Sequence, residues 1–227
     1  MSSARVAPVA PPAPAIPRSL FAFAIFYGGM VCIAGVLANK QVSLGTLPGW
    51  GPLAVEAGIF AFLMLVTTSS AVAELFGRPL ANRLVLIGFV PLVFSMLLSF
   101  LVLALPAAHD MPADRLAAFD MMMGATPRIW AAGIIAYGTS QFLNVTIFTA
   151  LKGKEGSRLL WLRAGIAAVL SQIVDTFLFI GIAFYGEFPI GNLLLGQMLA
   201  KVVLSALLVT PLVYVFVALG KRLDARA

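Results

Sequence analysis

The sequence predicts an all-α membrane protein of six transmembrane helices, and three observations carry that expectation. Of its 227 residues, 61% are hydrophobic and only 11% charged, whereas soluble domains average about 45–50% and 25%. The mean hydropathy is +1.03. The apolar residues gather into six stretches, each long enough to cross the ~30 Å hydrocarbon core of a bilayer. The formal net charge of +6 sits mostly at the ends of those stretches. That is the signature of membrane topology rather than of a nucleic-acid surface.

Residues 1–17 are rich in Pro and Ala and poor in large apolar side chains, so they are expected to form a disordered cytoplasmic tail. Residues 18–227 form the expected six-helix domain. The first span runs from about Leu20 to Leu37, longer than the 7–15 residues of a signal-peptide core, and is read as a retained helix. The second runs from about Leu53 to Phe76, after the turn-rich stretch 46–52. The third starts near Leu80, with Pro79 fitting its first turn, and stops before Pro106. The fourth runs from about Arg128 to Leu151 and the fifth from about Leu160 to Tyr185, joined by a polar connector at 152–157. The sixth runs from about Asn192 to Leu219. The longest loop, about 107–127, carries Met121, Met122 and Met123, which suit the membrane interface.

Charge orients these spans. Arg5, Arg18, Arg78, Arg83, Lys152, Lys154, Arg158, Arg163, Lys221, Arg222 and Arg226 fall on one side, eleven of the fifteen basic residues. Cytoplasmic segments collect Lys and Arg, so both termini are expected in the cytoplasm. An even number of spans requires the same arrangement.

The candidate functional residues are the polar ones that interrupt the spans. Asp175 is the only charge between Arg163 and Glu187. At 1.5 Å rise per residue it lies near mid-bilayer, where an ionised side chain costs roughly 2.5–3.5 kcal/mol. Lys201, about ten residues into the sixth span, is the expected counter-charge. Ser140-Gln141-Phe142-Leu143-Asn144 and Ser171-Gln172-Ile173-Val174-Asp175 repeat one pattern 31 residues apart. Residues i and i+3 share a helix face, so Gln141 pairs with Asn144 and Gln172 with Asp175. Such amides serve either as interhelical glue or as ligands in a shared cavity. Asn39 and Lys40 cap the outer end of span one, where Lys40 is either a snorkelling cation or an entrance group. Glu74, near the cytoplasmic end of span two, is placed to pair with Arg78 at i+4.

Several classes of function are excluded. The chain has no GxxxxGK[ST] loop, GxSxG, HExxH or CxxC motif. Its single cysteine, Cys32, permits no internal disulfide and reads as a small buried hydrophobe, and its single histidine, His109, lies in a loop. No enzyme, metal site or cofactor is expected.

These landmarks resemble those of the queuosine-precursor transporters, a family also described as vitamin uptake transporters. The resemblance runs from about Ala38 to Tyr214. It rests on Ala38-Asn39-Lys40, Glu74-Leu75-Phe76-Gly77, Ser140 to Phe148, Trp161-Leu162-Arg163, Ser171 to Thr176 and Lys201. It implies a multi-pass importer of the 7-deazaguanine bases preQ0 and preQ1 in a bacterial inner membrane, with a fold similar to the substrate-binding subunits of energy-coupling vitamin transporters. Another small vitamin-like or nucleobase solute, carried together with a separate ATPase, is the alternative. The partners it implies are a deazapurine base and the lipid bilayer, with no nucleic acid. The family pattern has Asp where this chain has Ser70 and Asn144, so Asp175 and Glu74 are the acids retained. A guanine-like edge presents N1–H and an amino group side by side, and a carboxylate accepts both. Phe177, Trp130 and Tyr137 are the aromatic rings expected to stack on such a base. The expected substrate-binding set is therefore Asp175, Gln172, Asn144, Gln141, Lys40, Asn39, Glu74 and Lys201.

Overall fold

Helix α1 (Arg18–Ala38) opens the computed structural model, which describes residues 16–47, 51–124, 127–152, 159–186 and 190–225. The expected tail at 1–15, most of the 152–157 connector and Glu187 lie outside the described residues. α1 ends at Asn39, whose amide Nδ2 lies 3.2 Å from the carbonyls of Gly35 and Val36 in the last turn, while its backbone N–H also reaches the Val36 carbonyl at 3.3 Å.

The chain then departs from the all-α expectation. Gln41–Leu47 (β1) and Gly51–Glu56 (β2) form an antiparallel hairpin in which Gln41 faces Glu56 and Val42 faces Val55. A register shift between Ser43 and Thr46 coincides with Gly45, whose φ is +93°, the conformation a bulge asks of glycine. The expected second span from Leu53 is therefore corrected: 53–56 belong to a strand, and helix α2 spans Gly58–Phe76.

α2 is the central helix, with 67% of its apolar stretch buried, against 17% for both α1 and α3. Its run Thr67-Thr68-Ser69-Ser70-Ala71 is fully buried, because small side chains let neighbouring backbones approach closely. Gly77, at φ +86°, ends α2 and starts α3 (Arg78–Ala104). α3 shows Leu86, Ile87, Val90, Phe94, Leu97 and Leu101 to the exterior, a helical spacing that gives one apolar face suited to lipid. A short helix, α4 (Ala113–Met123), buries none of its residues and leads to α5 (Pro127–Ala150) and α6 (Leu160–Phe184). α7 (Gly191–Leu204) continues through a π-helical turn, Ser205–Val209, into α8 (Thr210–Ala225). From Leu194 to Ala225 this makes one apolar run of 32 residues.

Five of the described helical runs are long and apolar enough to cross a membrane. The expected fourth span, α5, has 24 residues but falls outside that group. Thr139, Ser140, Gln141, Asn144, Thr146 and Thr149 dilute its apolar character.

Polar contacts identify the two ends of the bundle. At one, Asp224 of α8 accepts the Ser19 backbone N–H at 2.9 Å and the Ser19 hydroxyl at 2.7 Å, placing a carboxylate at the N-terminus of α1, where the helix dipole favours it. Glu74 of α2, Lys152 beyond α5 and Arg163 of α6 meet at their own helix ends. At the other end, Asn39 Nδ2 reaches the Met122 carbonyl of α4 at 3.1 Å. There Arg128, at the start of α5, donates to the carbonyls of Ile182 and Tyr185 at the end of α6, each at 2.6 Å. α5 and α6 are thus antiparallel neighbours. We call these the basic end and the hairpin end.

Gly88 of α3 shows how closely the interior is packed. A Cβ there would run into the Tyr137 hydroxyl and lie 2.7 Å from Tyr27 Cε1. Tyr27 is 1% exposed and Tyr137 6%, so neither ring has room to retreat. Gly88→Ala is expected to cost about 1–3 kcal/mol, read as a lowered melting temperature in detergent. An unchanged melting temperature would contradict this packing.

Candidate functional site

A cavity of about 890 Å³ opens in the hairpin half of the bundle, within the size range of small-molecule sites. α1 contributes Val31, Cys32 and Asn39 to its wall; β2 contributes Glu56; and α2 contributes Ile59 and Phe62. Phe119 and Met121–Met123 of α4 lie along its rim side. Trp130 and Tyr137 come from α5, Asp175 and Phe179 from α6, and Lys201 from α7. The wall is mainly apolar, with a few polar groups placed on it.

Asp175 and Lys201 are the centre of that polar group. Lys201 Nζ lies 3.3 Å from Asp175 Oδ2, and the two residues are 8% and 6% exposed. The Ser140 hydroxyl is 3.2 Å from Asp175 Oδ1 and 2.7 Å from the Ala136 carbonyl, so its single proton serves one of them at a time. A carboxylate has about four acceptor directions and an ammonium three donors. The pair therefore leaves acceptor and donor capacity facing the cavity.

Glu56, which no sequence pattern singled out, stands on the same wall. Burial pushes its carboxyl above the usual carboxylate range; the charge of Lys201 opposes this and that of Asp175 adds to it. Its carboxylate makes no hydrogen bond or ion pair among the described residues.

Two roles were open to the amides, interhelical contact and ligand in a shared cavity. Gln141 and Asn144 do share a face of α5, but that face meets α2. Gln141 Oε1 accepts from Tyr27 at 3.4 Å and from Ser69 at 3.2 Å. Asn144 Nδ2 donates to Ser69 at 3.3 Å and to Ser70 at 3.1 Å. The two positions that depart from the family pattern, Ser70 and Asn144, are thus in direct contact. Tyr137 extends this polar seam to the cavity wall, with its hydroxyl 3.0 Å from that of Tyr27. Gln172 of α6 is 1% exposed, and neither of its amide atoms has a hydrogen-bond partner among the described residues. One turn along the same helix, Asp175 reaches the cavity.

Other expectations meet a different geometry. Glu74 pairs with Arg163 and, at 3.3 Å, with Lys152. Its expected partner Arg78 donates instead to Thr146 at 3.1 Å, because the break at Gly77 destroys the i+4 geometry. Arg163 also stacks on Phe148, with its guanidinium carbon 4.5 Å from the ring centre. Phe177 is 51% exposed and points away from the cavity, leaving Trp130 and Tyr137 as the candidate stacking rings. Cys32, read as buried, is exposed and lies on the cavity wall. Lys40 is exposed and does not line the cavity, whereas its neighbour Asn39 does.

The cluster at the basic end gives a rank-order prediction. The Arg163 side chain is 3% exposed and that of Lys152 37%. Removing one partner of a buried pair leaves an uncompensated charge, whereas exposed pairs contribute little. Glu74→Gln is therefore expected to lower the melting temperature more than Lys152→Gln. Equal effects would contradict the burial of Arg163.

Comparison with known proteins places this arrangement in a family. A protein of Bacillus subtilis (strain 168) named "Probable queuosine precursor transporter" is 31% identical over 158 residues, covering 69% of this chain and 67% of that one. The "Queuosine precursor transporter" of Escherichia coli (strain K12) is 28% identical over 170 residues, covering 74% and 70%. No solved structure matches the chain. The family model described as "Putative vitamin uptake transporter" matches residues 56–216, a span that holds Glu56, Glu74, Asp175 and Lys201. With that match and its apolar helices, the chain is a multi-pass membrane protein and belongs to the vitamin uptake transporter family.

Proposed function

We propose that this protein imports queuosine precursors, the 7-deazaguanine bases preQ0 and preQ1, across a bacterial inner membrane. The observation that carries this reading is the buried Asp175–Lys201 pair on the cavity wall. A carboxylate held at mid-span by one ammonium has acceptor capacity left for the adjacent N1–H and amino donors of a guanine-like edge. Lys201 has N–H donors left for the carbonyl oxygen of the same base. Trp130 and Tyr137 offer ring faces on which a flat heterocycle stacks. The names of the relatives from Bacillus subtilis and Escherichia coli point to the same solute class.

In this reading α1, α2, α3, α5, α6 and the run α7–α8 are six crossings, with α5 tolerated for its polar residues because the other helices shield it. The Ser19–Asp224 contact supports an even count, since it joins the start of the first helix to the end of the last. The basic end carries Arg18, Arg78, Lys152, Arg163, Lys221 and Arg222 and faces the cytoplasm. The cavity then opens outward, with α4 and the hairpin at its mouth, and Gln141, Asn144 and Gln172 lie on the inward path of the solute.

The test is restoration of queuosine in tRNA when low concentrations of base are supplied to a strain lacking both precursor synthesis and its own transporter. The expected result is restoration by this protein alone. Absence of queuosine in cells with the protein in their membrane would overturn the reading. Restoration only when an energy-coupling ATPase is supplied would assign the chain instead to a binding subunit.

A further inference from the structure

Among the described residues, three charged side chains stand on the cavity wall: Glu56, Asp175 and Lys201. Two carboxylates and one ammonium leave one net negative charge when all are ionised. Lys201 lies within 3.3 Å of Asp175, and Glu56 has no ion pair among the described residues. An unpaired carboxylate beside an apolar pocket is costly to bury, and a cationic ligand relieves that cost. The hairpin delivers this group. Ala57 N–H donates to the Lys40 carbonyl at 2.7 Å, Gln41 pairs with Glu56, and β2 packs against α7, the helix that carries Lys201.

Resting on the transport reading above, we infer that Glu56 is a second solute-facing carboxylate. It makes the cavity prefer a 7-deazaguanine bearing a protonated aminomethyl group over the same base bearing a neutral nitrile. Asp175 takes the guanine-like edge, and Glu56 takes the ammonium on the opposite side of the heterocycle. The two acids thus divide recognition and selectivity between them.

The charged groups facing Glu56 are Asp175 from α6 and Lys201 from α7, and the Cys32 thiol of α1 and the Tyr137 hydroxyl of α5 stand on the same wall. Burial holds the Glu56 carboxyl above the usual range, with Lys201 opposing. Glu56 therefore takes up its proton at a higher pH than an exposed glutamate, and the preference for the amine weakens as the pH falls through that range.

The experiment is competition binding of the two bases to the purified full-length protein. The wild type is expected to favour the aminomethyl base by at least about tenfold, as a charge pair in a partly buried site supplies. Glu56→Gln is expected to bring the ratio close to one, chiefly by weakening the aminomethyl base, and Glu56→Asp to retain the preference. The wild-type ratio read between neutral and acidic pH needs no variant and is expected to decline. A wild type without preference, a ratio unmoved by Glu56→Gln, or a ratio that does not change with pH would overturn the inference. A wild type that binds neither base would overturn the transport reading and this inference together.

Discussion

Asp175→Asn is expected to abolish salvage of the deazaguanine base. The asparagine has nearly the same size, so the change is one of chemistry. The carboxylate offers two oxygens to two adjacent N–H donors. The amide offers one oxygen and an NH₂ group that opposes the second donor and leaves it unpaired. Hydrogen bonds to a charged partner are worth about 1.5–3 kcal/mol each. Losing one of them and exchanging the other for a weaker bond to a neutral oxygen therefore lowers affinity by about 100-fold or more. The measurement is queuosine content in tRNA at limiting base, normalised to the amount of folded protein in the membrane. Wild-type salvage would remove Asp175 from the site.

Lys201→Met is expected to damage folding as well as transport. It leaves Asp175 buried at 6% exposure without the ammonium 3.3 Å away. Breaking one side of a buried pair costs about 3–5 kcal/mol, whereas replacing both members with neutral groups is often tolerated. The double variant Asp175→Asn/Lys201→Met is therefore expected to recover most of the lost thermal stability without recovering salvage. The pair of melting temperatures separates the two roles of Lys201. Equal destabilisation in the single and double variants would show that the two residues do not depend on each other.

How much of this was legible in the sequence varies by residue. The partnership of Asp175 and Lys201 followed from depth alone, because each stood about a dozen residues or fewer from the same end of its apolar run. The shared face of Gln141 and Asn144 was also legible. Which neighbour that face would meet was not: helical periodicity defines a face, and only tertiary packing decides that it rests on Ser69 and Ser70 of α2. The Glu74–Arg78 pair failed for a local reason, since the glycine between them takes a positive φ and ends the helix. Glu56 was hidden for a different one. It sits at the junction of an apolar strand and an apolar helix, in Leu53-Ala54-Val55-Glu56-Ala57-Gly58. That stretch has no polar alternation to betray a strand. Reading it as the start of a span placed Glu56 at an interface, where a carboxylate is unremarked.

The correction at Glu56 alters the electrostatics of the whole site. With Asp175 alone, the cavity would be a neutral ion pair. With Glu56 the wall carries a second acid, which has no ion pair of its own among the described residues. The carboxylates at 56 and 175 lie on the cavity wall, whereas Glu74 belongs to a separate cluster with Arg163 and Lys152 at the basic end.

Isothermal titration of preQ1 into the purified protein and its Asp175→Asn variant tests the central claim most directly. Saturable one-site binding to the wild type is expected, with binding weakened by about 100-fold or more in the variant and both proteins folded by circular dichroism. Equal affinity in the two proteins, or no binding to a folded wild type, would contradict it.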